Sequence, residues 1–368
     1  MSTILSIGSA VPEFLHRQED ILQFMYRIYG LNEDGKRKLQ FLYRHSGIQS
    51  RYSVISDYTR PAAEWKFYSP SENLEPFPSL EQRMIWYNKY AAPLSVDAIR
   101  KCLAGKCRPE EITHLVTVSC TGMSAPGLDL QVVELMDLPK NIYRTSINFM
   151  GCYAAIHALK SADAICNSTP GAKVLIVCTE LCTLHFQRDA STSNITSSLL
   201  FGDGSAAALI VSDSPANSSG RPAKGVRLGS FYSEILPKGK KDMAWELSST
   251  GFQMTLSNYV PDLIEEDLSL LVERALKKSG LEQDAITHWC AHPGGKKILE
   301  AIYKSLHFTN GHLDASYAVL KEYGNMSSPT ILFVLQRIMA GLDYRQRNKL
   351  FGVAFGPGLT METFIAGT

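Results

Sequence analysis

The sequence predicts an α/β fold in which helices cover a buried sheet. Residues 113–120, 173–179 and 205–211 are apolar runs of strand length that are rich in β-branched side chains. Between the first two runs, Leu128–Met136 and residues 152–166 have the spacing and length of helices. An alternation of this kind is typical of a sheet that is buried under helices.

The second half of the chain continues the alternation with three predicted helices. Residues 258–278 place apolar side chains on one face and end in a Lys-Lys-Ser-Gly stop signal. Residues 296–306 form the second predicted helix. Residues 329–340 form the third, with Ser328 as N-cap and Pro329 at the first helical position.

Two predicted strands, 350–355 and 361–366, end the chain on either side of a Gly-Pro-Gly turn. The clearest break in composition is at 212–225, which is rich in Ser, Pro, Gly and Asn. We therefore expect a surface connection there between two halves, 1–211 and 226–368.

Composition and charge exclude several classes of function. The chain has 368 residues with 37 basic and 36 acidic side chains, so no net field points to nucleic acid or a membrane surface. The first residues lack a basic signal-peptide region, and no apolar run reaches about 18 residues, so we expect a cytoplasmic chain without a membrane span. Cys178, Cys182 and His185 fit no zinc spacing, and we expect no metal.

Three reactive side chains lie where apolar segments give way to predicted helices: Cys152 in Gly-Cys-Tyr-Ala-Ala, His292 before Pro-Gly-Gly, and Asn325 after Gly324. A cysteine at a helix N-terminus favours the thiolate. Each residue alone has an ordinary alternative, because Cys152 could pack under a helix, His292 could bind a backbone carbonyl, and Asn325 could be a turn residue.

Together the three motifs are more specific. With Leu-Phe-Gly-Asp-Gly-Ser at 200–205, Gly-Asn-Met-Ser-Ser at 324–328 and Phe-Gly-Pro-Gly-Leu-Thr at 355–360, the chain resembles the type III polyketide synthases, the chalcone synthase-like branch of the thiolase-fold condensing enzymes. This resemblance implies a thiolase-like αβαβα five-layered fold built from two similar halves, and a homodimer. The N-terminal half would carry the nucleophilic cysteine, and the C-terminal half the histidine and asparagine.

The resemblance also implies a reaction. Cys152, as a thiolate paired with an imidazolium at His292, would attack a starter acyl-CoA and hold the acyl group. His292 and Asn325 would stabilise the enolate that malonyl-CoA forms when it loses carbon dioxide, and the enolate would extend the acyl chain. The thioesters of CoA are substrates, so no cofactor is expected.

The predicted substrate cavity differs from that of the plant enzymes. Trp245 stands where they have glycine, His185 and Cys120 where they have threonine, and Ala125 where they have a methionine that enters the partner's cavity. We therefore expect a fatty or other aliphatic starter and a resorcinol or pyrone product. The full set of predicted cavity residues is Phe201 as gatekeeper, Met254, Trp245, His185, Cys120, Ala125, Ser327, Gly356, Pro357 and Gly358.

The densest basic cluster of the first half comprises Lys36, Arg37 and Lys38 with Arg44 and Arg51 downstream. It lies in the region where the type III polyketide synthases bind the CoA phosphates, so the resemblance implies a phosphate site at Lys38, Arg44 and Arg51. The alternative is that these charges only solvate a helix face.

Two other functions stay open from sequence. A ketosynthase III that uses an acyl carrier protein shares the Cys, His and Asn, but the Phe-Gly-Pro-Gly-Leu-Thr ending disfavours it. A non-enzymatic subunit of a condensing heterodimer is disfavoured by the presence of Cys152.

Overall fold

The structure is a computed structural model, and it describes residues 2–71, 73–212, 224–309 and 311–368. The composition break at 212–225 lies mostly outside these residues. The helices are α1 Gln18–Tyr29, α2 Glu33–His45, α3 Leu80–Leu103, α4 Leu128–Met136, α5 Ala154–Ser168, α6 Thr192–Leu200, α7 Val260–Lys278, α8 Lys296–Ser305, α9 Asp314–Tyr323 and α10 Thr330–Gly341. The strands are β1 Ser2–Ala10, β2 Phe14–Arg17, β3 Ser50–Ser53, β4 His114–Ser119, β5 Tyr143–Asn148, β6 Lys173–Leu181, β7 Asp203–Ser212, β8 Val226–Ile235, β9 Met243–Ser248, β10 Gly251–Leu256, β11 His288–Ala291, β12 Lys349–Gly356 and β13 Thr360–Gly367.

Nine strands form one mixed sheet in the order β11-β12-β13-β8-β1-β7-β6-β4-β5. Five of these strands come from the first half and four from the second, and the short antiparallel pairing of β1 with β8 joins them. Strand β6, in the first-half part of the sheet, is buried on both faces: Leu175 and Val177 face one apolar cluster, and Val174 and Ile176 face another.

The middle layer of the molecule consists of α5 and α10. Their apolar faces share one buried cluster with strands of both halves, from Ile176 in β6 to Phe364 in β13. Helices α3 and α7 belong to the other cluster, on the opposite faces of the strands. Because α5 and α10 pack between the part of the sheet from the first half and the part from the second, the layers run helix, sheet, helix, sheet, helix, which confirms the predicted five-layered α/β fold.

The predicted elements are present with small shifts of their ends, but the predicted cap of α10 is wrong. The N-cap of this helix is Pro329, without a side-chain cap. The hydroxyl of Ser328, just before the helix, points to the buried carboxyl of Glu180 and donates to its Oε1 at 2.6 Å. None of the helices in the described ranges is long and apolar enough to cross a membrane.

Candidate active site

Cys152 lies in a single 3-10 turn, Gly151–Tyr153, immediately before α5. The turn needs glycine at 151, where φ is +77° and a Cβ would lie 2.3 Å from Cδ of Pro357. The Gly-Pro-Gly turn of the second half therefore packs directly on the residue before the candidate nucleophile. This close approach gives a structural reason for two glycine-containing motifs, Gly-Cys at 151–152 and Gly-Pro-Gly at 356–358.

The thiol of Cys152 has polar neighbours from the second half. Its Sγ donates to Oγ of Ser327 at 3.6 Å, and the side chain of Asn325 is also close enough to favour the thiolate. Burial outweighs these contacts and raises the pKa of Cys152 to about 11. Without a charged partner, the side chain of Cys152 is therefore a neutral thiol at neutral pH.

His292 follows β11 and is 1% exposed, with its backbone N–H donating to the carbonyl of Val353 at 2.8 Å. Both ring nitrogens are buried and have no hydrogen-bond partner among the described residues. Burial lowers the pKa of His292 to about 3, so the neutral imidazole is the favoured form of the isolated group. Unpaired buried nitrogens are costly, and they leave the ring free to bind a substrate or the Cys152 proton.

Asn325 is held so that its amide N–H groups are available. Its Oδ1 accepts from the backbone N–H of Ser327 at 2.8 Å, which fixes the orientation of the carboxamide. Its Nδ2 donates to the carbonyl of Gly294 at 3.3 Å, which leaves a second amide hydrogen for a substrate oxygen. Gly294 lies two residues after His292, so this contact also connects the two candidate catalytic loops.

The three side chains meet at one cavity. An outer cavity, open to the surface, is lined by Cys152, His292 and Asn325 together. Of the three, Cys152 also lines a second, inner cavity, and Phe201 and Met254 line both. Including space open to solvent, protein atoms leave about 950 Å³ free in the inner cavity and about 1260 Å³ in the outer one.

The walls of the inner cavity include most of the predicted cavity residues. The side chain of Trp245 is fixed by a hydrogen bond from its Nε1 to the carbonyl of Cys120 at 2.7 Å. Met254 is its partner in the antiparallel hairpin β9–β10. The predicted residues that line the inner cavity are Cys120, His185, Phe201, Trp245, Met254, Ser327 and Pro357.

His185 is a structural part of this wall. Its Nε2 donates to the carbonyl of Thr121 at 2.7 Å, and its Nδ1 accepts from the backbone N–H of Phe252 at 3.1 Å. Its ring stacks on Phe252 with centroids 4.3 Å apart. Burial lowers the pKa of His185 to about 3. Both nitrogens are occupied, so the neutral ring shapes the cavity and has no free atom for acid–base chemistry.

The other three predicted cavity residues are Gly356, Gly358 and Ala125. Gly356 packs on Tyr153 beside the backbone of Cys152, and Gly358 provides the turn with φ +74°; their place in the substrate cavity stays a prediction. Ala125 lies in a separate surface hollow beside Met123 and β5, and so it does not line the cavity of its own chain.

The prediction that Arg51 binds CoA phosphates is wrong. Arg51 is 4% exposed, and its guanidinium donates to Gln18 and to the carbonyl of Phe201 inside the protein. Lys38 and Arg44 are exposed on α2, as a phosphate site requires.

Two cationic side chains at the outer cavity were not predicted from the sequence. Lys296 and Lys297, at the start of α8, line this cavity together with Phe41 and His45 of α2. The signal in the sequence was their position directly after His-Pro-Gly-Gly, at a helix N-terminus.

A buried carboxyl connects the loops around the site. Glu180 at the end of β6 accepts from the backbone N–H of Cys120, from the Thr121 hydroxyl and from the Ser328 hydroxyl at 2.6–2.8 Å. Burial raises the pKa of Glu180 to about 7. Sequence reasoning did not identify it, because a glutamate within a strand-like apolar run carries no motif.

Comparison with known proteins supports the resemblance over the whole chain. Residues 1–214 match the family model of chalcone and stilbene synthases, N-terminal domain, and residues 227–367 match the C-terminal domain. Type III polyketide synthase C of Arabidopsis thaliana is 30% identical over 99% of this chain and 94% of its own length. The alpha-pyrone synthesis polyketide synthase-like Pks18 of Mycobacterium tuberculosis is 34% identical over 98% of this chain and 90% of its own.

Solved structures agree with this assignment. PKS-I of the brown alga Ectocarpus siliculosus superposes with a TM-score of 0.90 at 29% identity, covering 99% of this chain and 97% of that one. The C-terminal type III polyketide synthase domain of Steely1 from Dictyostelium also gives 0.90, at 26% identity, covering 99% and 98%. These matches do not favour the ketosynthase III or the non-enzymatic subunit.

Proposed function

Because the chain belongs to the chalcone and stilbene synthase family, the type III polyketide synthases, we propose that Cys152 carries the acyl chain while His292 and Asn325 act on malonyl-CoA. Enzymes of this family are condensing acyltransferases that use CoA thioesters. The observation that carries the proposal is the position of Cys152 where the two cavities meet, with all three side chains lining the outer one. A thioester arriving from outside meets the trio before its acyl group enters the inner cavity.

Loading begins with transfer of the Cys152 proton to His292. Burial disfavours either charge alone, but transfer creates a thiolate and an imidazolium together, and each stabilises the other. The thiolate attacks the carbonyl carbon of the acyl-CoA, and the bond to the CoA sulfur breaks. His292 returns its proton to the departing CoA thiolate.

Extension uses the free donors of His292 and Asn325. They bind the thioester oxygen of malonyl-CoA; the bond to the carboxylate breaks, carbon dioxide leaves, and the electron pair forms an enolate on that oxygen. The enolate carbon attacks the acyl group on Cys152 and releases the thiolate. The chain, now two carbons longer and attached to CoA, can return to Cys152 for another cycle.

The CoA portion is held at the mouth of the outer cavity. We place its phosphates between Lys296 and Lys297 on α8 and the exposed Lys38 and Arg44 on α2. The positive N-terminus of α8 adds to the attraction for phosphate.

An aliphatic starter fits the inner cavity better than a rigid aromatic one. The fixed indole of Trp245 takes up space that a glycine would leave free, while the flexible side chain of Met254 lies at the passage between the cavities. The similarity to the alpha-pyrone synthesis enzyme Pks18 supports a pyrone as one product. A resorcinol remains the alternative ring.

The active assembly is a homodimer. Strand β5 is the edge of the nine-stranded sheet, and most of its residues are exposed, including Tyr143 at 71%. The exposed side chain of Met123 lies in the hollow beside it, with Ala125. An exposed edge strand of this kind, with one side unpaired, is a ready pairing surface for a second copy.

Mass spectrometry of the intact protein and of its products tests this function. Incubation with an aliphatic acyl-CoA should add one acyl group to Cys152, and malonyl-CoA should then yield extended, cyclised products. In competition at equal concentrations, aliphatic starters should be used before coumaroyl-CoA. Equal or faster use of coumaroyl-CoA would contradict the starter assignment, and acylation away from Cys152 would contradict the loading step.

A further inference from the structure

Arg51 and Gln18 form a buried clamp on the segment that ends α6. Nη1 of Arg51 donates to the carbonyl of Phe201 at 2.6 Å, and its Nε donates to Oε1 of Gln18 at 3.0 Å. Nε2 of Gln18 in turn donates to the carbonyl of Leu199 at 2.8 Å. The two side chains, both at 4% exposure, therefore fix alternate carbonyls of residues 199–201.

Two backbone groups at the end of this segment, the carbonyl of Leu200 and the N–H of Gly202, bind the main chain of Asn325. Its backbone N–H donates to the carbonyl of Leu200 at 2.9 Å, and its carbonyl accepts from the backbone N–H of Gly202 at 2.9 Å. The main chain of Asn325 is thus attached to a short ribbon whose other carbonyls are held by the clamp. Any shift of that ribbon moves Asn325 and the gatekeeper position Phe201 together.

The aliphatic part of Arg51 also packs directly under the loop that carries Asn325. A Cβ at Gly324 would lie 2.8 Å from Cγ and 2.9 Å from Cδ of Arg51, and a Cβ at Gly202 would lie 3.3 Å from its Cβ. Gly324 has a φ of +68°, which also favours glycine. The glycine before Asn325 is therefore explained by the arginine beneath it.

Burying an arginine side chain costs free energy, so the presence of Arg51 at this place needs a structural reason. Burial lowers the pKa of Arg51, and its Nη2 has no well-placed hydrogen-bond partner, although the hydroxyl of Tyr43 is near enough to favour the charged form. Apolar residues of similar volume in such places are often neutral or stabilising. The contacts made by Arg51 supply a reason for keeping it.

We propose that Arg51, with Gln18, is a positioning residue that holds the Asn325 carboxamide and the Phe201 ring in their working places. This inference rests on the proposed role of Asn325 in stabilising the malonyl-CoA enolate. Arg51 acts through the backbone and does not bind the CoA phosphates. Misplacement of a catalytic group by about 1 Å can cost about 100-fold in rate, and we expect a loss of that order.

Kinetics of Arg51→Met, Arg51→Lys and Gln18→Leu test the clamp, with Arg345→Met, an exposed arginine far along the chain, as matched control. Malonyl-CoA decarboxylation and starter extension are measured per active site, counted by alkylation of Cys152. Arg51→Met should lower kcat for decarboxylation by about 100-fold with less than about a threefold change in KM. Arg51→Lys and Gln18→Leu, which each keep part of the clamp, should lose less. Arg345→Met should match the wild type.

Asn325→Ala and the double variant Arg51→Met/Asn325→Ala separate this inference from the proposed function. If Arg51 acts through Asn325, the double variant should be no slower in decarboxylation than Asn325→Ala. Full decarboxylation by Asn325→Ala would overturn the proposed function itself. A slow Asn325→Ala with an unimpaired Arg51→Met would overturn the clamp alone.

Two further outcomes would also overturn the clamp. One is a raised KM for malonyl-CoA at unchanged kcat in Arg51→Met, which would indicate that Arg51 binds CoA. The other is a loss explained entirely by fewer alkylatable sites, which would make the residue only structural. If Arg51→Met does not fold, the same readouts on Arg51→Lys and Gln18→Leu decide.

Discussion

At the scale of single residues, the chemistry depends on two buried groups that each prefer to be neutral. Burial raises the pKa of Cys152 to about 11 and lowers that of His292 to about 3. In the proposed mechanism a thiolate forms at neutral pH together with an imidazolium at His292, and each charge stabilises the other. The unpartnered nitrogens of His292 leave it free to take that proton.

Alkylation of Cys152 by iodoacetamide measures this coupling. The thiolate is the reacting form, so the rate rises with pH through the pKa of the thiol. With His292 present, the apparent pKa should lie below about 8.5, the value of a free cysteine. In His292→Ala it should move upward, towards the value of about 11 that burial sets. Superimposable pH profiles for the two proteins would mean that the residues do not pair.

Trp245 is the residue whose replacement should change the product most directly. Trp245→Gly removes a fixed wall of the inner cavity, so the variant should accept larger starters or add more malonyl units. Trp245→Phe, which keeps a ring but loses the hydrogen bond to Cys120, is the control for that bond. Product masses from a starter panel give the answer, and an unchanged profile in Trp245→Gly would show that this side chain does not limit the cavity.

That Cys152, His292 and Asn325 lie at one cavity could be predicted from sequence, because each lies in a local motif that the fold preserves. Arg51 could not be placed correctly, since whether an arginine is exposed depends on contacts with distant residues such as Phe201. The same limit applies to Ser328, whose hydroxyl donates to Glu180, a residue far away in the chain.

At the scale of elements, α2 and the start of α8 both line the outer cavity. His45 and Phe41 of α2 stack with centroids 4.1 Å apart, and Lys296 and Lys297 line the same cavity from α8. The elements that were predicted, such as α7 and β6, have long periodic or apolar patterns, whereas helices α1 to α3, helix α9 and strand β1 were not predicted. The hairpin β9–β10 was not predicted either, because its residues alternate weakly; its Phe252 stacks on His185, a contact that the local sequence does not reveal.

Charge reversal at α8 tests where CoA binds. Lys296→Glu/Lys297→Glu should raise KM for malonyl-CoA about three- to tenfold at low salt, as expected for exposed phosphate contacts worth up to about 1 kcal/mol each. The kcat should be nearly unchanged, because in the proposed mechanism the two lysines bind only the CoA phosphates. The effect should shrink as ionic strength rises. A KM that equals that of the wild type at low salt would remove α8 from the CoA site.

At the scale of the whole molecule, the fold brings together residues that are far apart in the chain. Cys152 comes from the half that contains β4–β7, and His292 and Asn325 come from the half that contains β11–β13. One sheet, continuous through β1 and β8, holds the halves in fixed positions. Sequence predicted the two-half plan through the resemblance, but the composition of the chain contains no signal for the β1–β8 pairing that joins the halves.

The exposed edge strand predicts the assembly. Thr145→Glu places a charge in the middle of β5, where in a two-fold dimer it would meet its own copy. Light scattering after size-exclusion chromatography should show a dimer for the wild type and a shift towards monomer for this variant. Thr309→Glu, on an exposed threonine far from β5, is the control. A monomeric wild type, or an unaffected Thr145→Glu dimer, would refute pairing through β5.

The most direct test of the separate roles within the trio measures Cys152→Ala in the assay for malonyl-CoA decarboxylation and in the assay for starter extension. This variant should make no extended product from any starter, because the acyl chain has no attachment point. It should still release carbon dioxide from malonyl-CoA, because His292 and Asn325 retain their free donors to the enolate oxygen. A Cys152→Ala protein that extends a starter would contradict the assignment of the nucleophile.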